Sequence, residues 1–247
     1  MTRRRWIADE VSGDRAFLFG RNAEHLVRVL RARTGQRFEI ATPEGVRIGE
    51  IVEIAPERVV FATSPLAHEE PRQSSAIIHL YLSIFKFDRF EWALEKVTEL
   101  GVSRIIPVIA GRTDAHLASA AAKRVERWRR IVHEASQQSR RDAAPEICHP
   151  ARLATATETA LGRRIVLAES ERDLRLAALI RDAADLSMAV GPEGGWTDSE
   201  LGVFMNNQWT AASLGTNILR AETAAIAAVS VARFLSGKES PTHATRR

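Results

Sequence analysis

The sequence predicts an α/β protein, a mostly parallel sheet flanked by helices and preceded by a small all-β domain. Strand-like and helix-like runs alternate from residue 76 onward, the signature of strands joined by helical crossovers. Before residue 70, short β-branched runs are separated by tight turns. Between the two patterns lies the polar stretch Ser64–Ser75, which contains two prolines and reads as a linker. The 247 residues therefore divide into an expected domain of residues 1–70 and a larger one of residues 76–247.

In chain order, a short helix is expected over about Ala23–Arg33, stopped by Thr34-Gly35. Gln36–Ala41, Val46–Ile54 and Arg58–Thr63 read as strands, separated by Pro43-Glu44-Gly45 and Pro56-Glu57 turns. Several short strands in so short a stretch suggest a small barrel. In the second domain, Ile77–Ile84 is a buried strand, and Asp88–Leu100 is a helix with Gly101 in a C-cap position. Ile105–Ile109 is the next strand, and a long amphipathic helix follows over about Ala118–Ser139. Ile165–Ala168, Leu186–Val190 and Trp209–Leu214 are further strands. Ala221–Leu235 is the last helix, with Gly237 behind it.

Composition narrows the function classes. Hydrophobic content of 45% supports a core, no apolar run approaches a membrane span, and the N-terminus lacks the apolar stretch of a signal peptide. The single Cys148 permits no intrachain disulfide, which suits a reducing cytoplasm. No Cys or His cluster has metal-ligand spacing, so no metal is expected. Up to Arg37 there are nine Arg against four acidic residues, more positive charge than the whole chain's net +4. Arg presents a planar fork suited to phosphate and base contacts, making nucleic acid the leading partner class.

Two loops carry the chemistry. The strand Leu186–Val190 empties into Gly191-Pro192-Glu193-Gly194-Gly195, which neither continues a strand nor opens a helix interior. Thr197 and Glu200 then form a capping box for a new helix. The loop is either a tight βα turn or a site that offers bare backbone to a ligand. A second strand, glycine turn and helix follow at Leu214–Thr223, and ligand loops belong at the carboxyl ends of strands. No GxGxxG occurs, which argues against a dinucleotide-binding fold.

The motif GPEGG followed by LGxxILRxETA resembles the RsmE family, SPOUT-class methyltransferases acting on N3 of a uridine in 16S ribosomal RNA. Lys86 with Glu95–Val102 is similar to the family's "K…QKxTELGV" stretch. Arg127-Trp128, Glu134-Ala135, Gln138-Ser139 and Arg141 resemble its "RW…EAxxQSxR" helix. His25-Leu26 with Val29-Leu30-Arg31 resembles its "HLxxVLR". The resemblance covers nearly the whole chain. It implies a PUA-like N-terminal barrel that helps bind RNA and a C-terminal trefoil knot, which the general rarity of knots would not suggest. It also implies a homodimer, a cytoplasmic role in ribosome biogenesis, and 16S rRNA or the small ribosomal subunit as partner.

By the same resemblance S-adenosylmethionine is held by Ala168, Glu169, Gly191, Pro192, Glu193, Gly194, Gly195, Leu214, Gly215, Ile218 and Leu219. Methylation at N3 requires removal of a proton, by a positioned carboxylate or with an Arg favouring the anion. The candidates are Arg220, Glu222, Glu193, Arg5 and Asn22. Glu222 reads equally as a helix-start carboxylate favoured by the helix dipole, and Glu193 as a brace of its loop. RNA is expected to meet Arg3, Arg4, Arg5, Arg28, Arg31, Lys86, Arg112, Arg127 and Arg141. The rival account of the α118–139 arginines is a solvated helix face. Two positions depart from the family pattern: Phe87 stands where Gly is common, and Thr216-Asn217 where relatives often carry Pro-Arg.

Overall fold

The computed structural model describes residues 4–66, 76–181 and 183–236. Arg3, the 67–75 part of the expected linker and Gly237 lie outside the described residues. The chain forms two compact units, Met1–Pro71 with His133–Ala144, and Arg72–Val132 with Pro145–Arg247.

The first unit is built on β1 (Trp6–Ile7), β2 (Glu10–Ser12), β3 (Arg15–Phe19), β4 (Arg37–Thr42), β5 (Gly45–Ala55) and β6 (Arg58–Pro65). Their order is β1-β4-β5-β6-β3-β2, so β1 and β2 occupy opposite edges of the sheet. Only Ala8 and Asp9 join those edges, and three residue steps reach about 10 Å. The sheet must therefore curl until its edges nearly meet. Ala8 donates its N–H to Ala41 of β4, beside one edge, and Asp9 to Phe17 of β3, beside the other. The result is the PUA-like half-barrel that the resemblance implies. Trp6, Leu18, Leu26, Phe38, Ile40, Ile51 and Phe61 fill its interior.

The expected helix 23–33 is shifted and shorter. It runs as α1 (Gly20–Glu24), continues as one π-helical stretch over His25–Val29, and ends before Arg31, whose φ is +53°. Segment 133–144 counts with this unit, which helical periodicity alone does not reveal.

The second unit contains β7 (Ile77–Ser83), β8 (Arg104–Ile109), β9 (Glu146–Ile147), β10 (Ala151–Arg152), β11 (Arg163–Leu167), β12 (Asp185–Val190) and β13 (Thr210–Ala212). All pair in parallel, in the order β10-β8-β7-β12-β11-β13, with β9 beside β8. Parallel strands covered on both faces read as near-continuous apolar runs, as in β7, β8 and β12. The helices are α2 (Phe87–Glu99), α3 (Ala115–Ala121), α4 (Val125–Gln138, counted in this unit only to Val132), α5 (Leu153–Glu158), α6 (Leu176–Ile180), α7 (Asp198–Asn206) and α8 (Ala221–Ser236). The single helix expected over 118–139 is α3 and α4 joined by a 3₁₀ turn at Ala122–Arg124.

β13 lies outside β11, yet α8 returns to pack on α2, α6, β7 and β12. The closing segment must cross the β11–β12 connection to do so. At the crossing Ser213 donates its N–H to Leu174 O and accepts from the N–H of Leu176. This crossing is the arrangement expected of the C-terminal knot that the resemblance implies. Arg233 secures the far end of α8 by donating to the carbonyls of Ala76, Leu100 and Gly101. Gly101 has φ +93°, which an L side chain disfavours, and serves as the expected cap.

Gly162 precedes β11 with φ +62°, and an added Cβ would lie 2.3 Å from Asp185 O. Gly202 sits in α7, where an added Cβ meets nothing within 4 Å. Urea unfolding should therefore show Gly162→Ala destabilising the protein by about 2 kcal/mol or more. Gly202→Ala should instead stabilise it by about 1 kcal/mol.

Candidate functional site

Three strand ends converge in the second unit. The loops leaving β11, β12 and β13 line one cavity of about 680 Å³, within the range of small-molecule sites. β11 contributes Ala168, Glu169 and Ser170; β12 contributes Gly191 to Trp196; β13 contributes Ser213 to Arg220. Each of the residues that the sequence assigned to a cofactor is on this lining, together with Arg220, Lys86 and Arg112.

The glycine loop is held from behind by side chains. Gly195, at φ +68°, donates its N–H to Pro192 O at 2.8 Å and closes a tight turn. Trp196 donates its indole N–H to Leu167 O at 3.1 Å, tying the loop to the end of β11. Its ring packs edge-on against Phe204. An added Cβ at Gly191 would come within 3.2 Å of the Trp196 indole nitrogen, so the backbone there passes close to that ring. Arg112 donates to the carbonyls of Gly194 and Trp196. A cation expected to meet RNA is thus engaged as a latch on the loop.

The capping box at Thr197 and Glu200 is present in full. Buried Glu200 also accepts the Gly111 N–H at 2.6 Å, which couples the segment bearing Arg112 to the start of α7. Its carboxylate therefore supports both sides of the loop.

Around the mouth, charges of both signs are paired. Arg89 donates to Glu193 at 2.8 Å and approaches Glu222 at 3.8 Å. Glu222 is not on the lining. It is buried in the first turn of α8, and its Oε2 makes no hydrogen bond. Leu167, Val190, Leu201 and Leu219 add apolar wall, and Ile218 is 79% exposed at the rim. Arg89 and Trp196 escaped the sequence reading. The signals were present: Arg89 falls one helical turn after Lys86, and Trp196 directly follows GPEGG. Among the described residues no group of His, Cys, Asp or Glu could hold a metal ion.

The remaining candidates sit elsewhere. Arg5 and Asn22 lie in the first unit and are occupied there. Arg5 pairs with Glu39 at 2.9 Å and Asp142 at 2.7 Å, with its side chain only 12% exposed. Burial would raise the Glu39 carboxyl, but hydrogen bonds and charge from Arg140 and Arg5 outweigh this and hold it below the usual range. Asn22 accepts from Gln137 at 3.4 Å. Arg4, expected to meet RNA, is half-buried over the Trp6 ring and donates to Gln137. Burial lowers its pKa. Arg28 and Arg31 are exposed, Arg28 beside Glu24. In the second unit Arg127 pairs with Glu91 at 2.8 Å. In the first, the Arg141 N–H donates to Ser136 O.

Comparison with known proteins agrees with this geometry. The RNA methyltransferase domain family matches residues 72–233. The ribosomal RNA small subunit methyltransferase E of Synechocystis sp. is 31% identical over 209 residues, 81% of this chain and 66% of that protein. Its Bacillus subtilis counterpart is 26% identical, over 87% of this chain and 88% of that one. The crystal structure of the corresponding Neisseria gonorrhoeae enzyme, bound to S-adenosyl methionine, superposes with a TM-score of 0.81 at 27% identity. It covers 96% of this chain and 99% of its own. A Legionella pneumophila methyltransferase solved with SAM also gives 0.81, at 26% identity over 94% of this chain and 96% of its own. With the matched domain spanning most of the knotted unit and relatives aligned through both units, the chain belongs to the ribosomal RNA small subunit methyltransferase E family.

Proposed function

We propose that this chain transfers the methyl group of S-adenosylmethionine to N3 of a uridine in 16S rRNA, as a cytoplasmic step in building the small ribosomal subunit. The observation that carries the reading is the convergence of three loops, separated in sequence, on one cavity. The cavity fits the cofactor in kind. An added Cβ at Gly195 meets nothing within 4 Å, so the bare loop leaves open space beside its backbone. Leu219 and Ile218 supply an apolar slot for an adenine, and neighbouring main-chain groups supply its polar partners. When bound, S-adenosylmethionine supplies a methyl group already activated on a sulfonium, so the chain need not provide a metal.

The chain's own work is orientation and proton handling. Holding acceptor and donor in line can lower the barrier by about 7–11 kcal/mol. Glu193 and Arg220 are the lining groups suited to the N3 proton, the first by accepting it and the second by favouring the anion. Arg89 restrains Glu193, and Glu222 supports Arg89 from its buried side. Arg5 and Asn22 serve the first unit, whose exposed Arg28 and Arg31 are the better placed of its cations to follow a phosphate backbone. Among the described residues no helix is long and apolar enough to cross a membrane.

We also propose a homodimer. Phe234, 84% exposed near the end of the Ala-rich α8, is a large apolar group suited to cover by a second copy. Light scattering should report twice the chain mass at micromolar concentration, and Phe234→Glu should shift it toward the monomer. A wild-type monomer overturns the proposal.

An added Cβ at Gly194 meets Arg112, so Gly195 is the cleaner probe of the cofactor loop. Gly195→Val places a β-branched residue at φ +68° facing the cavity. Calorimetry should show S-adenosylmethionine affinity falling by at least about tenfold, because the added side chain fills the open space beside the loop backbone and overpacking costs about 1–3 kcal/mol, while circular dichroism stays native. Unchanged affinity would remove the loop from the cofactor site.

Incubating the purified protein with S-adenosylmethionine and unmodified small subunits or 16S rRNA, followed by nucleoside mass spectrometry, should yield 3-methyluridine, with EDTA present or absent. Methyl transfer to another atom, or to none, sinks the reading.

A further inference from the structure

We propose that Arg124, set over the Phe87 ring, is a stacking platform for a nucleobase of single-stranded RNA flanking the target uridine. This rests on the RNA methyltransferase reading and deepens it.

Phe87 is the first residue of α2, between Lys86 and Arg89, both of which line the cavity. The Arg124 guanidinium carbon lies 4.4 Å from the Phe87 ring centroid. Beneath, Phe87 approaches Trp128, which is fully buried and itself packed on Phe90, so the ring rests on the core. Glu91, only 12% exposed, accepts from Arg124 at 3.3 Å. One face of the guanidinium is therefore against an aromatic ring and Glu91 holds it by one nitrogen. The Arg124 side chain nevertheless remains 41% exposed.

A guanidinium fixed in this way has little rotamer entropy left to lose. Its remaining surface offers a flat cation of the kind on which bases of unpaired RNA stack. Glu91 is shared with Arg127, which bonds both of its oxygens, so two cations face one carboxylate. The surplus positive charge draws the RNA backbone toward the platform. A solvated ion pair has no need of an aromatic floor. Here the floor is Phe87, the first residue of α2, set between two residues that line the cavity.

The test uses the full-length protein and fluorescence anisotropy with two probes, a short uridine-rich single-stranded RNA and an abasic strand of equal length. Wild type should prefer the base-bearing strand. Arg124→Lys keeps the charge and loses the plane; Phe87→Leu keeps apolar packing and loses the ring. Each should reduce that preference by about tenfold, the scale of one lost stack. The salt dependence of binding and the S-adenosylmethionine affinity should stay unchanged. Equal preference in Arg124→Lys and wild type overturns the proposal. So does a weaker binding whose salt slope drops by about one, which marks a phosphate contact instead. If wild type methylates rRNA and the variants keep its base preference, the platform alone falls. If wild type neither binds RNA nor methylates it, the function reading fails and the platform with it.

Discussion

The crossing at Ser213 is the constraint on which the second unit depends. Two backbone hydrogen bonds, to Leu174 and from Leu176, fix the closing segment against the β11–α6 loop. Because of that crossing, β13 can lie outside β11 while α8 packs on α2 and the sheet. It also brings the loop Ser213 to Arg220 onto the same cavity as Ala168 to Ser170. Without the crossing these would be separate turns, and the cavity would lose a wall. Arg233, donating to three carbonyls at the far end of α8, holds the helix that the crossing delivers. Its burial lowers its pKa.

The cavity itself is shaped by side chains whose polar atoms are spent on the loop rather than offered to a ligand. Trp196, Arg112 and Glu200 each spend their polar atoms on backbone, and together they set the path of the glycine loop. The loop contributes almost no side chains to the ligand side, so its geometry has to come from behind. This division separates two kinds of residue that a motif merges. The glycines leave room, and their neighbours hold that room open. Glu193 is the exception, a side chain at the mouth whose direction is set by Arg89.

In the first unit, charge is used for structure more than for display. Arg5 satisfies Glu39, Asp142 and the Arg140 carbonyl, while Arg4 covers Trp6 and bonds Gln137. Buried guanidinium groups of this kind are stable only when their donors are matched, and here most are. The basic excess of the first 37 residues is therefore an overcount of what faces solvent. Composition adds charges without regard to partners, and these hydrogen-bond partners come from residues between 34 and 137 positions away.

Local chemistry sufficed for part of this protein. Alternating strands and helices, the Thr197–Glu200 capping box, the Gly101 cap and the two glycine loops all depend on near neighbours, and they stand where the residues indicate. The family motifs carried the half-barrel and the knot, because order along the chain identifies a topology that periodicity cannot. Only the tertiary structure decided the rest. The long 118–139 helix breaks at a 3₁₀ turn, and segment 133–144 counts with the first unit. Arg112 became a latch, Glu222 fell behind the lining, and Arg89 and Trp196 entered the site. The reason is physical: what a guanidinium or carboxylate does is set by whichever partner the fold brings within about 3 Å, and sequence spacing carries that information only within a turn or two of helix.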